Sequence, residues 1–420
     1  MTSIVIALLS CFLLGQANEP GDRPLGQRKD VRQAIALDPA EFDDALRPLA
    51  TQVASVYARH PMDASVLYYV AAVHARAGHT RQALDALRMM ANLETGVHPR
   101  LRDGFEALEG NAEFEAIADG IRRQHPPVRR ARVALEIGEA DLVPEGIAWS
   151  ERTRRLYLGS IKRKIVSVTR TGEVNEFVAP GTGGLGVVMG VRVDDRRGEL
   201  WAASGVLGPP EPGVVTGAFR FRLSDGHLIS SYPVPNPEKN RLNDLAVAPD
   251  GTVYGTATDS GALFRIDPST GNVTAFLPAE TLPDPNGITI PPDGRYAFVA
   301  GWYGIARVDL RSRETVMLEK PSNIADGCFD GLYSTGAREL IGVQNCVHET
   351  GRIVRLRLDA RRSRLVSAEV LESYNPLFDG ITTAAPAGRE LMFVANVQFW
   401  KLRPGGPPFL PLKVLRLPLR

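Results

Sequence analysis

Four side chains in this sequence have the right types and spacing to do chemistry together. They are Glu145 in VPEGIAW, Asn243 in RLNDLAVAPDG, Asn286 in PNGITIPPDG and Asp330 in FDGLYSTGARELIGVQN. All are oxygen donors. A ring of carboxylate and amide oxygens, with no His or Cys among them, suits a hard cation. Ca²⁺ leads, then Mg²⁺ or Mn²⁺, with Zn²⁺ as the outside alternative. Taken singly, each residue is an ordinary turn or strand-start residue, since Asn-Gly and Asp-Gly are common turn pairs. Their meaning depends on whether the chain brings them to one place.

Other chemistry is sparse. The seven His form no HxxxH or HExxH pattern, so the zinc hydrolase signature is missing. No GxSxG elbow precedes a helix. The Gly-rich run at 181–186 is not followed by a helical pattern, which removes the case for phosphate binding. With a net charge of +1 over 420 residues, there is no electrostatic argument for nucleic acid. The hydrophobic share of 44% and the length of 420 residues suit a soluble chain able to bury a sizeable core in more than one domain.

The elements that would position the four residues repeat. From about residue 131, short β-rich runs alternate with Gly, Asp-Gly and Pro turns, with no long helical pattern between them. LYLGS, LWAAS, VYGTA, AFVAG, LIGVQ and MFVAN are six versions of one second strand. Third strands (KIVSV, GAFRF, ALFRI, GIARV, RIVRL) and fourth strands (VNEFV, LISSY, VTAFL, TVMLE) follow in turn. Glu145, Met189, Asn243, Asn286 and Asp330 lead five units at separations of 44, 54, 43 and 44 residues; the sixth opens near Asp379, 49 residues further on. Four strands per roughly 45 residues, six times over, predicts an all-β six-bladed β-propeller over 131–420. In that fold the first strand of every blade lines the central channel, so equivalent positions converge. Met189 is apolar and is assigned to the channel wall.

These motifs resemble the senescence marker protein (regucalcin)/gluconolactonase family of six-bladed propellers. The resemblance spans about 131–420. It implies metal ligation by Glu145, Asn286 and Asp330, and substrate contacts from Arg241 and Asn243. It also implies a divalent-metal-dependent hydrolase of a lactone or small ester. In that mechanism the metal polarises the carbonyl and Asp330 serves as the catalytic group. ADGCFDG offers Asp326 as a rival ligand, but Asp330 lies ten residues before Leu340, the spacing of Asn243 to Val253. Two other classes stay open. One is a non-catalytic propeller binding a small ligand or a protein around a structural cation. The other is a strictosidine-synthase-like propeller, against which the three-ligand pattern argues.

The N-terminal third has a different character. Residues 1–17 read as a signal peptide, with an apolar run at Ile4–Gly15 too short to span a bilayer. That points to a secreted or periplasmic protein; a lipid anchor at Cys11 is the weaker option. Residues 18–37 form a linker. Residues 38–127 are helical in period, and Ala64–Glu94 resembles one tetratricopeptide repeat turning at Gly78, with Ala71 and Ala83 at the close contact. One repeat is too few for a solenoid, so a small cap or spacer is the simpler reading and a protein-binding groove the other. Without the leader, Cys328 and Cys346 remain, and antiparallel counting about a turn near 335–337 sets them opposite each other as a disulfide pair.

Overall fold

The computed structural model describes residues 33–59, 64–92, 97–139, 142–321, 324–345, 351–402 and 405–420. The proposed leader 1–17, Cys11, most of the linker, and Cys346 lie outside the described residues. The chain divides into two compact units. One comprises residues up to Pro127 together with Ile324–Ala325; the other is Val128–Pro321 with Asp326–Arg420.

The first unit includes α1 (Arg47–Arg59), α2 (Ala64–Arg76), α3 (Thr80–Ala91) and α4 (Ala112–Gln124). The α2–α3 turn falls at Gly78, whose φ of +77° is the left-handed conformation that glycine adopts without strain. Ala71, Ala83 and Leu87 are fully buried where the two helices meet. Tyr68 packs edge-on against Phe105 at 5.3 Å and donates its hydroxyl proton to Asp103. Arg100 holds the same carboxylate through two hydrogen bonds of 2.8 Å. The Asn111 side chain caps α4 by accepting from Glu113 N at 3.0 Å and Phe114 N at 3.1 Å.

The second unit is a six-bladed propeller. Six four-stranded antiparallel sheets each run from an inner to an outer strand. The inner strands are Pro144–Ser150, Val187–Asp194, Leu242–Val247, Pro285–Thr289, Phe329–Gly336 and Ala384–Ala387, for blades one to six. Each lies against the next, and the sixth lies against the first. Successive side chains along a strand point to opposite faces of its sheet, so alternating residues face the two neighbouring blades. The core is therefore a ring of wedges. Between blades two and three, for example, Trp201, Tyr232, Leu242 and Phe264 pack together, with Trp201 stacked on Tyr232 at 5.3 Å. Blade six is assembled from both ends of the propeller chain. Its outer strand, Arg132–Ile137, pairs with Leu412–Pro418, from Arg132 opposite Arg416 to Ile137 opposite Leu412.

Candidate functional site

Five inner strands carry the same irregularity in the same place. In blade one, Pro144 sits opposite Ser160 and Ile147 opposite Leu158, so three steps on one strand match two on its partner. The same slip occurs between Val188 and Val191, Leu242 and Leu245, Pro285 and Ile288, and Phe329 and Leu332. Each is a β-bulge, which twists a strand and re-aims the side chains at the extra residue. The first bulge position holds Glu145, Met189, Asn243, Asn286 and Asp330, the five leading residues of the sequence repeat. The second holds Gly146, Gly190, Asp244, Gly287 and Gly331. Four of the five are glycine, and at Gly146 and Gly287 the next blade comes too close for a side chain. A Cβ on Gly146 would overlap the Met189 carbonyl oxygen, and one on Gly287 the Asp330 carbonyl oxygen.

The bulges bring the predicted ligands into one electrostatic neighbourhood. Glu145 and Asp330 are 9% and 8% exposed. Burial pushes the Glu145 carboxyl well above the usual range, and the negative charges of Asp330 and Asp244 push it further, against an opposing pull from Arg241. Burial also raises Asp330, to about 7, despite hydrogen bonds from Asn345 and Asn286. Asn345 Nδ2 donates to Asp330 Oδ2 at 2.7 Å and to the Ile381 carbonyl at 3.0 Å. Asn345 was not visible in the sequence as a site residue. It closes the FDGLYSTGARELIGVQN motif, directly after the second strand of blade five, where nothing in the repeat spacing singles it out.

The proposed substrate residues are held from outside. Asn243 Nδ2 donates to Thr258 Oγ1 at 3.0 Å, and Thr258 in turn donates to the Pro285 carbonyl at 2.6 Å. Arg241 pairs with Asp259 at 3.2 Å and donates to the Val206 carbonyl at 3.2 Å. Asp326 precedes the bulged strand and pairs with Lys320 at 3.1 Å, while Asp330 holds the bulge position. Met189 packs in the wedge between blades two and three. The sixth blade departs from the expected pattern. Asp379 lies in the loop five residues before the inner strand that starts at Ala384. Thr382 and Thr383 stand nearer, and their hydroxyls donate to the Glu145 carbonyl at 3.0 and 2.6 Å. Blade six thus contributes a tie between blades.

Cys328, 3% exposed and two residues before Asp330, is disulfide-bonded. Its carbonyl accepts from Asn345 N at 3.1 Å, so the covalent link sits at the base of the Asp330–Asn345 pair.

The donor set fits a divalent cation. Two buried carboxylates repel each other, an amide adjoins one of them, and among the described residues no donor hydrogen-bonds the Glu145 carboxylate. A cation between them would offset that repulsion. Only two of the three proposed ligands are acidic. Among the described residues no group of three or more His, Cys, Asp and Glu stands at metal-binding spacing.

Fold and site together define a closed propeller with an acidic, amide-lined position at one end of its inner strands. The profile of the SMP-30/Gluconolactonase/LRE-like region matches residues 143–367, more than half of the chain, and the chain belongs to that family. No curated protein matches the sequence. Among solved structures, a gluconolactonase from Xanthomonas campestris is 18% identical, with a TM-score of 0.47 over 70% of this chain and 97% of that one. Virginiamycin B lyase from Staphylococcus aureus is 17% identical, with a TM-score of 0.47 over 69% of this chain and 100% of that one. A luciferin-regenerating enzyme is 14% identical, with a TM-score of 0.47 over 67% of this chain and 92% of that one. No activity follows from these likenesses.

Proposed function

We propose that the protein hydrolyses a lactone or small ester with the help of one divalent cation, Ca²⁺ foremost, held by Glu145, Asn286 and Asp330. The observation that carries this reading is the shared bulge, which sets these residues at equivalent positions of three blades. Membership of the SMP-30/Gluconolactonase/LRE-like family supports the reaction class. The cation, when bound, supplies electrophilic stabilisation of the negative charge that develops on the substrate carbonyl oxygen.

The chain's own residues supply the rest. Arg241 and Asn243, each fixed by a neighbour, orient the substrate. Asp330, steadied by Asn345, accepts a proton from the attacking water and returns it to the departing ring oxygen. Water adds to the carbonyl carbon, the ring C–O bond breaks, and the product is an open hydroxy acid. The disulfide at Cys328 supports a secreted or periplasmic location, because such bonds persist in oxidising compartments. Among the described residues no helix is long and apolar enough to cross a membrane.

A panel of sugar lactones and aryl esters, assayed with Ca²⁺ or Mn²⁺ and then with excess EDTA, tests the proposal. Hydrolysis should appear with metal and disappear with chelator. Asp330→Asn should lower kcat/KM by about 10²–10⁴-fold with an unchanged circular dichroism spectrum. Equal turnover by Asp330→Asn and wild type, or no turnover of any panel member, would contradict it.

A further inference from the structure

Behind the bulges lies a second set of equivalent positions, three residues after each leading residue. They hold Ala148, Arg192, Ala246, Thr289 and Tyr333. Arg192 is the one cation in this set, and it reaches across several blades. From the inner strand of blade two, its Nη2 donates to Asp244 Oδ2 in blade three and lies 3.5 Å from the Ile288 carbonyl in blade four. Its guanidinium stacks over the ring of Tyr333 in blade five at 5.0 Å. Tyr333 extends the chain of contacts, since its hydroxyl oxygen accepts from Ala384 N in blade six at 2.7 Å.

Asp244 is unusual in its own place. It is the one non-glycine among the five second bulge positions, and it is 2% exposed. Its carboxylate ties two bulges together. Oδ1 accepts from Leu245 N at 2.8 Å, and Oδ2 accepts from Ile288 N of the next blade at 3.2 Å. Those amides follow Asn243 and Asn286 by two residues each. Asp244 therefore anchors the two strands that present a proposed substrate residue and a proposed ligand.

The charges sort into pairs. Asp244 has Arg192, and Arg241 has Asp259. Among the described residues Glu145 and Asp330 have no ion-pair partner, and the charge of Asp330 acts on Glu145. We propose that Arg192 is the channel's resident counter-ion. By neutralising Asp244 it makes that carboxylate a positioning group for the Asn243 and Asn286 bulges. It also leaves Glu145 and Asp330 as the two uncompensated charges that meet a divalent cation. The charge-setting half rests on the cation reading above; the pairing half stands on contacts alone.

A double-mutant cycle separates the two halves. Arg192→Met, Asp244→Asn and the combined variant are compared with wild type in the full chain. Melting is measured in EDTA, and Ca²⁺ and Mn²⁺ are titrated by calorimetry. Each single variant should melt roughly 5–15 °C lower, because it strands a buried charge or its hydrogen-bonding partners. The combined variant should recover most of that loss. Asp244→Asn should bind Ca²⁺ at least about tenfold more weakly, since Arg192 is then unopposed beside the site. The combined variant should return to within about threefold of wild type. A purely structural pair gives no such return of cation affinity. Melting losses that simply add in the combined variant would overturn the pairing, whatever the metal data. A wild type that binds neither ion, with the melting cycle still coupled, would sink the cation reading and the charge-setting half together. If a single variant does not fold, the combined variant decides. Folded with near-wild-type affinity supports the proposal; unfolded, or tenfold weaker, overturns it.

Discussion

At the scale of single residues, the site opposes folding and favours binding through the same groups. Glu145 is buried beside Asp330 and Asp244, and those neighbours make its charge costly in the cation-free protein. Glu145→Gln removes that charge and keeps the shape. In EDTA at pH 8 the variant should melt about 2–6 °C above wild type, because a repelling buried carboxylate is gone. The same variant should lose the melting-temperature rise that Ca²⁺ gives the wild type. Differential scanning calorimetry with and without Ca²⁺ reads both effects, and a variant that melts lower in EDTA would contradict the repulsion argument. Glu145, Asn286 and Asp330 could be picked out in the sequence because each opens a repeat at a regular spacing. Asp244, Arg192 and Asn345 could not. Asp244 gains its meaning from the bulge register, which sets it against glycines in four other blades. Arg192 reads as one more polar residue of an alternating strand until its reach across the channel is known. Asn345 acts through a hairpin pairing, Phe329 opposite Gln344, that fixes which residue lands beside Asp330.

At the scale of elements, second strands were the most legible, because a run such as LWAAS or AFVAG is buried along its whole length. First strands were less so, since a bulge breaks their alternation. The helical unit was legible through its period of three and four and its turn at Gly78. It also carries a pH dependence of its own. His98 is 8% exposed, and its pKa is lowered to about 4 by burial, then by the positive charges of Arg122 and His125, against a hydrogen bond to the Ile121 backbone. A histidine whose folded pKa lies below its unfolded value of 6.5 favours the neutral, folded form. The stability it contributes is complete above about 6.5 and is lost as pH falls from there through about 4. His74 shifts in the same direction, chiefly through burial. Hydrogen exchange of the full chain between pH 7 and pH 4, corrected for intrinsic rates, should show α2, α3 and α4 losing protection. His98→Gln should blunt that loss. Equal protection across the range would remove histidine burial as the cause.

At the scale of the whole molecule, the repeat count predicted six blades, and six sheets are present. What the sequence concealed was the make-up of blade six. Its outer strand is drawn from Arg132–Ile137 and its other three strands from the C-terminal end, so no continuous four-strand stretch announces it. That is also why Asp379 looked like a sixth leading residue. The count of repeats runs straight on, whereas the ring closes there through hydroxyl ties from Thr382 and Thr383 to blade one. Closure has a functional consequence, because residues 44 to 185 positions apart in sequence can share one space only when all six inner strands meet. The account's central claim is that this shared space holds a divalent cation. Crystals grown with Mn²⁺ and measured at a wavelength where manganese scatters anomalously test it most directly. The account predicts one strong anomalous peak in the channel, within about 2.5 Å of oxygens from Glu145, Asn286 and Asp330. An empty channel at saturating Mn²⁺, or a peak bound only by other residues, would contradict it.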